Sequence, residues 1–111
     1  MPVDPNRDFW KPGMSWEKAL EDVAYIRELA SEMGGKDRVE RQHSAGRGTV
    51  RQRLEQFCDA GSFLEMGELM GAAEYDSDGN LQSFSPGGYV MGLGEVDGRP
   101  IAIGGDDFTL S

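Results

Sequence analysis

The stretch that decides the reading of this chain is YVMGLGEVDGRPIAIGGDDF, residues 89–108. Tyr89–Val96 and Pro100–Phe108 read as two strands. Asp97-Gly98 between them is the dipeptide preferred where both central residues of a two-residue hairpin loop take positive φ. Pro100 falls near the start of the second strand, where a missing N–H is tolerated. Met91 and Leu93 point to one face and Val90 and Val96 to the other, while Ile101 and Ile103 oppose the small Ala102 and Gly104. That uneven alternation predicts strands covered on both faces. A lone hairpin is marginal in water, so this one is expected to need partner elements. Asp106 and Asp107 are adjacent, so in a strand they point to opposite faces and form no converging carboxylate pair.

Working outward, glycine separates two halves. Of the 16 glycines, five lie in residues 1–60 and eleven in 61–111, which marks a shift from helix to strand and turn near Gly61. Residues 1–14, with Phe9 and Trp10 among three prolines, predict an extended arm lying on another surface. Ser15 is a good N-cap, with Glu17 in the first turn, and a helix is predicted over 16–33. Its stripe is Trp16, Leu20, Val23, Ile26, Ala30 and Met33, widened by Ala19 and Leu29. Gly34 and Gly35 are expected to end it in a left-handed turn. Residues 36–48 are Arg-rich and lack periodicity, and predict a connector. Thr49-Val50-Arg51-Gln52 matches a capping box and opens a short helix over 50–58, with Val50, Leu54 and Phe57 on one stripe. Asp59-Ala60-Gly61 is a turn sequence, 63–69 predicts a strand, and polar, Gly-rich 71–88 predicts a long loop.

The chain has 111 residues, room for one small domain, and a formal net charge of -9. That acidity argues against nucleic-acid partners and against docking on an anionic membrane. No apolar run approaches the ~20 residues of a membrane helix. The N-terminus lacks the basic and apolar regions of a secretory signal, so a cytoplasmic location is expected. The lone Cys58 allows no internal disulfide. It ends a helical stripe and reads as a small core hydrophobe rather than a catalytic thiolate.

Six of the eleven basic residues, Lys36, Arg38, Arg41, Arg47, Arg51 and Arg53, fall in 18 positions around His43. One reading is an anion site for the phosphates of coenzyme A, because Arg forks suit phosphate. The other is a set of salt bridges to the chain's own acids or to a neighbouring subunit. His43 has no nucleophile or acid placed with it and reads as a loop hydrogen-bond partner. Asp76-Ser77-Asp78-Gly79-Asn80 fails the calcium-loop pattern, which needs Gly where Leu81 stands and Glu where Gly87 stands. Gly92-Leu93-Gly94 lacks the third glycine and the helix of a dinucleotide fingerprint. No metal site is predicted.

The run Gly35-Lys36-Asp37-Arg38-Val39-Glu40-Arg41-Gln42-His43-Ser44-Ala45-Gly46-Arg47-Gly48-Thr49-Val50-Arg51-Gln52-Arg53-Leu54 resembles the N-terminal region of the carboxyltransferase (beta) subunits of biotin-dependent acyl-CoA carboxylases. The likeness continues through Asp59–Glu65 and resumes at Val90–Val96, Asp97–Pro100 and Asp107-Phe108-Thr109, in the family's order. It implies an α/β crotonase-like (ClpP/crotonase) βαβ spiral, of which only the N-terminal helices and first strands are present. Residues 15–111 would be the start of the N-terminal domain, truncated at the C-terminus.

The resemblance also implies transfer of a carboxyl group from carboxybiotin, carried on a biotin carboxyl carrier or biotin carboxylase partner, to the α carbon of an acyl-CoA. Backbone N–H groups would stabilise the developing anions, and the full-length form would be a homo-oligomer. The family's oxyanion-hole glycines lie beyond Ser111, so no catalytic residue is carried over. Arg47 and Arg51 are the candidate substrate-binding residues, at the CoA phosphates or a subunit interface. A decarboxylase or transcarboxylase would share these features. The alternative class is a non-enzymatic interaction module, or an inactive fragment, that binds a full-length carboxyltransferase.

Overall fold

A computed structural model describes residues 3–110. Eight elements follow in order: α1 (Trp16–Ser31), α2 (Lys36–Ser44), α3 (Val50–Phe57), β1 (Leu64–Met66), β2 (Gly71–Tyr75), β3 (Leu81–Pro86), β4 (Tyr89–Val96) and β5 (Arg99–Asp106). They form a three-stranded antiparallel sheet in the order β1-β4-β5 and a separate antiparallel hairpin of β2 and β3.

The β4–β5 hairpin sets the register of the larger sheet. Val96 pairs with Arg99, and the ladder runs unbroken to Tyr89 opposite Asp106. Asp97 and Gly98 both take positive φ, 51° and 76°, as a type I′ turn demands. Asp59 holds this turn from outside. Its two carboxylate oxygens accept the N–H groups of Asp97 (2.9 Å) and Gly98 (2.8 Å), and its own N–H donates to the Glu95 carbonyl at 2.7 Å. The turn after α3 is thereby fastened to the tip of the hairpin, and β1 is delivered to the far edge of β4, with Leu64 opposite Leu93. The strand stops at Met66 rather than running to residue 69, because Gly67 takes φ 75° and turns the chain, with the Met70 N–H on its carbonyl.

Two apolar clusters hold the chain. One gathers Phe9, Leu29, Ala30, Leu81 and Phe84, flanked by Val3, Tyr25 and Ile26. The other gathers Met33, Val50, Leu54 and Val90, flanked by Val39, Phe63 and Ile103. The arm is therefore part of a core. Phe9 is buried, and burying a Phe side chain contributes about 1.5–3 kcal/mol. Asp22, buried on α1, secures the arm by accepting the Trp10 N–H and pairing with Arg7 (3.1 Å) and Lys18 (3.3 Å). The Arg7 guanidinium also lies 4.3 Å from the Tyr25 ring centroid. Residues 1 and 2 of the predicted arm fall outside the described residues.

Several expectations need correction. The N-terminal end of the α1 stripe is not used: Trp16 is 82% and Leu20 66% exposed, whereas Leu29, Ala30 and Met33 of the same stripe are buried, together with Asp22. The arm's Phe9 and the ion-paired Asp22 occupy the face that a purely apolar count assigns elsewhere. Gly35 does take positive φ (97°), but the first residue after α1 to do so is Met33 (φ 54°), whose burial offsets a strain of about 1 kcal/mol. Gly34 is needed for space, since a Cβ there would lie 1.9 Å from the Thr109 carbonyl oxygen.

Residues 36–44 are helical rather than a connector. No residue of α2 is fully buried, so its good helix formers leave no stripe to read. The loop predicted over 71–88 contains the β2–β3 hairpin. All of β2 is exposed, and β3 buries Leu81 and Phe84, three apart, with a register shift at Glu74/Tyr75, so no period of two survives. Of the two strand faces, one is covered within the described residues, where α3 packs on β4 and β5, and the other is exposed.

Removing the Asp59 clamp by Asp59→Ala is expected to destabilise the chain by about 1 kcal/mol, through the loss of two hydrogen bonds at an exposed turn. Asp59→Asn should recover part of this. Urea unfolding of the three proteins tests it, and equal midpoints would remove the clamp.

Candidate functional site

The basic segment folds into α2, a turn and α3. Thr49 caps α3 by accepting the Gln52 N–H, and the Gln52 side-chain oxygen accepts the Thr49 N–H at 2.8 Å, so the capping box is complete. The same Gln52 oxygen lies 2.9 Å from His43 Nε2. A hydrogen bond between α2 and α3 is thus the role the structure gives His43.

The arginines divide sharply. Arg51 forks onto Glu65 of β1, with Nη1 at 2.5 Å and Nη2 at 2.9 Å, while its Nε is buried without a partner. The pair is mostly enclosed, with side-chain exposures of 25% and 15%. The Arg51 fork is already matched by a carboxylate, which is the salt-bridge alternative rather than an open phosphate seat. Arg38 is exposed but donates to the Thr109 carbonyl at 3.2 Å. Arg47 is exposed, and its side chain makes no hydrogen bond or ion pair among the described residues. It lines a shallow groove with Gln42, Thr49, Arg53, Asp106 and Asp107. Two arginines there face two carboxylates, so the groove is of mixed charge.

A feature that residue spacing missed lies at the end of β5. Asp107 and Thr109 are 4% and 2% exposed. One Asp107 oxygen accepts both the Thr109 N–H (2.9 Å) and its hydroxyl (2.6 Å), and that hydroxyl accepts the Gly34 N–H at 2.8 Å. The Asp-x-Thr spacing is the available signal, because an Asp side chain commonly accepts the N–H two residues on. Cys58 is buried and free, and a Cβ on Gly94 would lie 2.7 Å from its sulfur, so it packs as a small core group.

On the open face of the sheet, Met66, Tyr89, Met91 and Leu93 border a trough floored by Ala102 and Gly104. None of these six residues carries a charged side chain, although the chain has net charge -9. The described residues contain no group of three or more His, Cys, Asp and Glu placed to hold a metal ion. None of their helices is long and apolar enough to cross a membrane.

A helix-backed sheet whose outer face is apolar and open is the architecture of one layer of a larger α/β domain. The sequence model of the carboxyl transferase domain matches residues 41–111. The chain belongs to the carboxyl transferase domain family. It is 35% identical over 98 residues to the propionyl-CoA carboxylase carboxyltransferase subunit of Haloferax mediterranei, covering 87% of this chain and 19% of that protein. It is 33% identical over 100 residues to the methylmalonyl-CoA carboxyltransferase 12S subunit of Propionibacterium freudenreichii subsp. shermanii, covering 90% and 19%. With the methylmalonyl-CoA decarboxylase alpha subunit of Propionigenium modestum it shares 32% identity over 94 residues, covering 85% and 18%.

The crystal structure of transcarboxylase 12S with methylmalonyl-coenzyme A and methylmalonic acid bound superimposes with TM-score 0.73 at 34% identity, over 90% of this chain and 20% of that one. The fold class is α/β and crotonase-like, and the described residues hold helices and antiparallel strands of it. The chain spans about a fifth of the length of these relatives.

Arg51→Ala leaves Glu65 half-buried and unpaired, and is expected to destabilise the chain by about 2–4 kcal/mol. Arg51→Lys should restore only part of this, because an ammonium cannot fork. Arg47→Ala should stay within about 0.5 kcal/mol of the parent. Thermal and urea unfolding of the three variants check the order.

Proposed function

We propose that this chain forms part of a biotin-dependent carboxyltransferase that moves a carboxyl group from carboxybiotin to the α carbon of an acyl-CoA thioester. The observation that carries the reading is the family match over residues 41–111. The three relatives, a carboxylase, a transcarboxylase and a decarboxylase, are named for propionyl-CoA or for its carboxylated form, methylmalonyl-CoA. That shared pair makes propionyl-CoA the substrate to try first. Carboxybiotin is a second substrate here, borne by a partner protein. In the transfer its N–CO₂ bond breaks, the acyl-CoA α carbon gives up a proton to the ureido nitrogen, and a C–C bond forms.

This chain's own share is scaffold and surface. The uncharged trough on β1, β4 and β5 supports a reading in which further protein of the domain lies against it, because an apolar face of this kind normally marks an interaction site. Arg47, with no intramolecular partner among the described residues, is the better placed of the two candidate arginines for a CoA phosphate or a subunit contact. Arg51 acts through its pairing with Glu65. Assembly as a homo-oligomer and a cytoplasmic location belong to the same reading.

The test is an assay of label transfer from carboxybiotin to propionyl-CoA. Residues 1–111 alone are expected to be inactive. A longer protein in which this chain continues past Ser111 is expected to transfer label. In that protein Arg47→Ala should raise the acyl-CoA KM about three- to tenfold, with kcat within twofold. No transfer by the longer protein, with tight binding of residues 1–111 to an active carboxyltransferase, would favour the interaction-module reading instead. An unchanged KM would remove Arg47 from substrate binding.

A further inference from the structure

The two apolar clusters share no buried residue. The first is built from the arm, α1 and β3, and the second from α3, β4 and the residues around them. Among the described elements, α1 packs on the β2–β3 hairpin and not on the three-stranded sheet, whereas α3 packs on β4 and β5 and not on the hairpin. The backbone crosses between these halves three times: after α1 at residues 32–35, after β1 at 67–70, and after β3 at 87–88.

What holds the crossings is unequal. The second is tied to the third, where the Gly87 N–H donates to the Met70 carbonyl at 2.9 Å. An ion pair from Arg27 of α1 to Glu68 spans the halves, but it is exposed and contributes little. Met33 of the first crossing is buried in the second cluster, and the other hydrogen-bonded ties converge beside it. Thr109 accepts the Gly34 N–H of the first crossing on its hydroxyl, and its carbonyl accepts from Arg38. Asp107, bonded to that same hydroxyl, donates its N–H to the Gly88 carbonyl of the third crossing at 2.8 Å. The node is nearly closed to water, and the Gly34 backbone sits against it with no room for a Cβ.

From this geometry we infer that the arm, α1 and the β2–β3 hairpin form one body that moves against the three-stranded sheet, and that the Asp107–Thr109 node is its latch. A buried polar group left unpaired is costly, so the node favours one closed arrangement over partly open ones. Release of the Gly34 N–H frees the first crossing. The third is freed with it, because one residue, Asp107, holds the Gly88 carbonyl with its N–H and the Thr109 hydroxyl with its side chain. Each body keeps its own core when the latch opens, so the opening is sub-global rather than a loss of fold. The inference rests on hydrogen bonds within this chain and holds whether or not the carboxyltransferase reading does.

Amide hydrogen exchange of the 111-residue chain, followed residue by residue by NMR, tests it. Thr109→Val removes the hydroxyl while keeping the shape. The Gly34 and Asp107 amides are expected to exchange about tenfold faster together. Amides within the β2–β3 hairpin and between β4 and β5 should stay within twofold of the parent. Thr109→Ser, which keeps the hydroxyl, should leave all four groups unchanged. Uniform acceleration across both sheets would show one cooperative unit and overturn the proposal. So would acceleration at Gly34 with Asp107 unchanged, since the two crossings would then not be latched together. Should Thr109→Val fail to fold, exchange of the parent chain in rising sub-denaturing urea decides. Two classes of opening, with α1 and the hairpin in the lower, support the latch, and a single class overturns it.

Discussion

The close approach of Gly34 to Thr109 is the constraint on which the arrangement depends. A backbone amide and a buried hydroxyl meet at 2.8 Å, and a Cβ at residue 34 would be 1.9 Å from the Thr109 carbonyl oxygen. The end of α1 can lie against the end of β5 only under that condition. From it follow the burial of Met33 against Val50, Leu54 and Val90, the Arg38 bond to the Thr109 carbonyl, and the position of α2 beyond the corner. The contact is made between residues 75 apart in sequence. Closing so long a loop costs entropy. The supporting bonds of Asp107 and the apolar cluster around Met33 act in the opposite direction.

What could be read from the sequence follows from where each signal is stored. The β4–β5 hairpin was legible because the Asp97-Gly98 turn chemistry is local, and α3 because its capping box and its Val50 and Leu54 stripe are local too. The helix α2 was hidden because no residue of it is fully buried, so it carries propensity without period. The β2–β3 hairpin was hidden for a related reason: an exposed strand pairs with one that buries only Leu81 and Phe84. The burial of Asp22 in place of Trp16 and Leu20 on α1 depends on an arm that supplies Phe9 and on ion pairs to Asp22. Neither follows from counting apolar residues.

The candidate site shows the same division. A cluster of six cations in 18 positions looks like one feature in sequence, yet three dimensions separate its members. Arg51 and Arg38 satisfy internal acceptors, and Arg47 stands outside with no side-chain partner among the described residues. The polar node at Asp107 and Thr109 is invisible to charge counting, because its partner is a backbone amide contributed by a glycine. The family resemblance covered these positions without distinguishing their roles. The structure distinguishes them by partner and burial.

Position 33 illustrates how narrow such a corner makes the choice of residue. Met33 holds φ at 54° and is 8% exposed within the second cluster. Glycine would relax the backbone there but leave a hole where the thioether lies, and alanine would keep the strain and lose the filling. Valine or isoleucine would add a branch at Cβ, for which a left-handed backbone is least forgiving. Only a long side chain unbranched at Cβ meets both demands. A corner made by two glycines on one side is thus as restrictive toward its non-glycine neighbour as toward the glycines themselves.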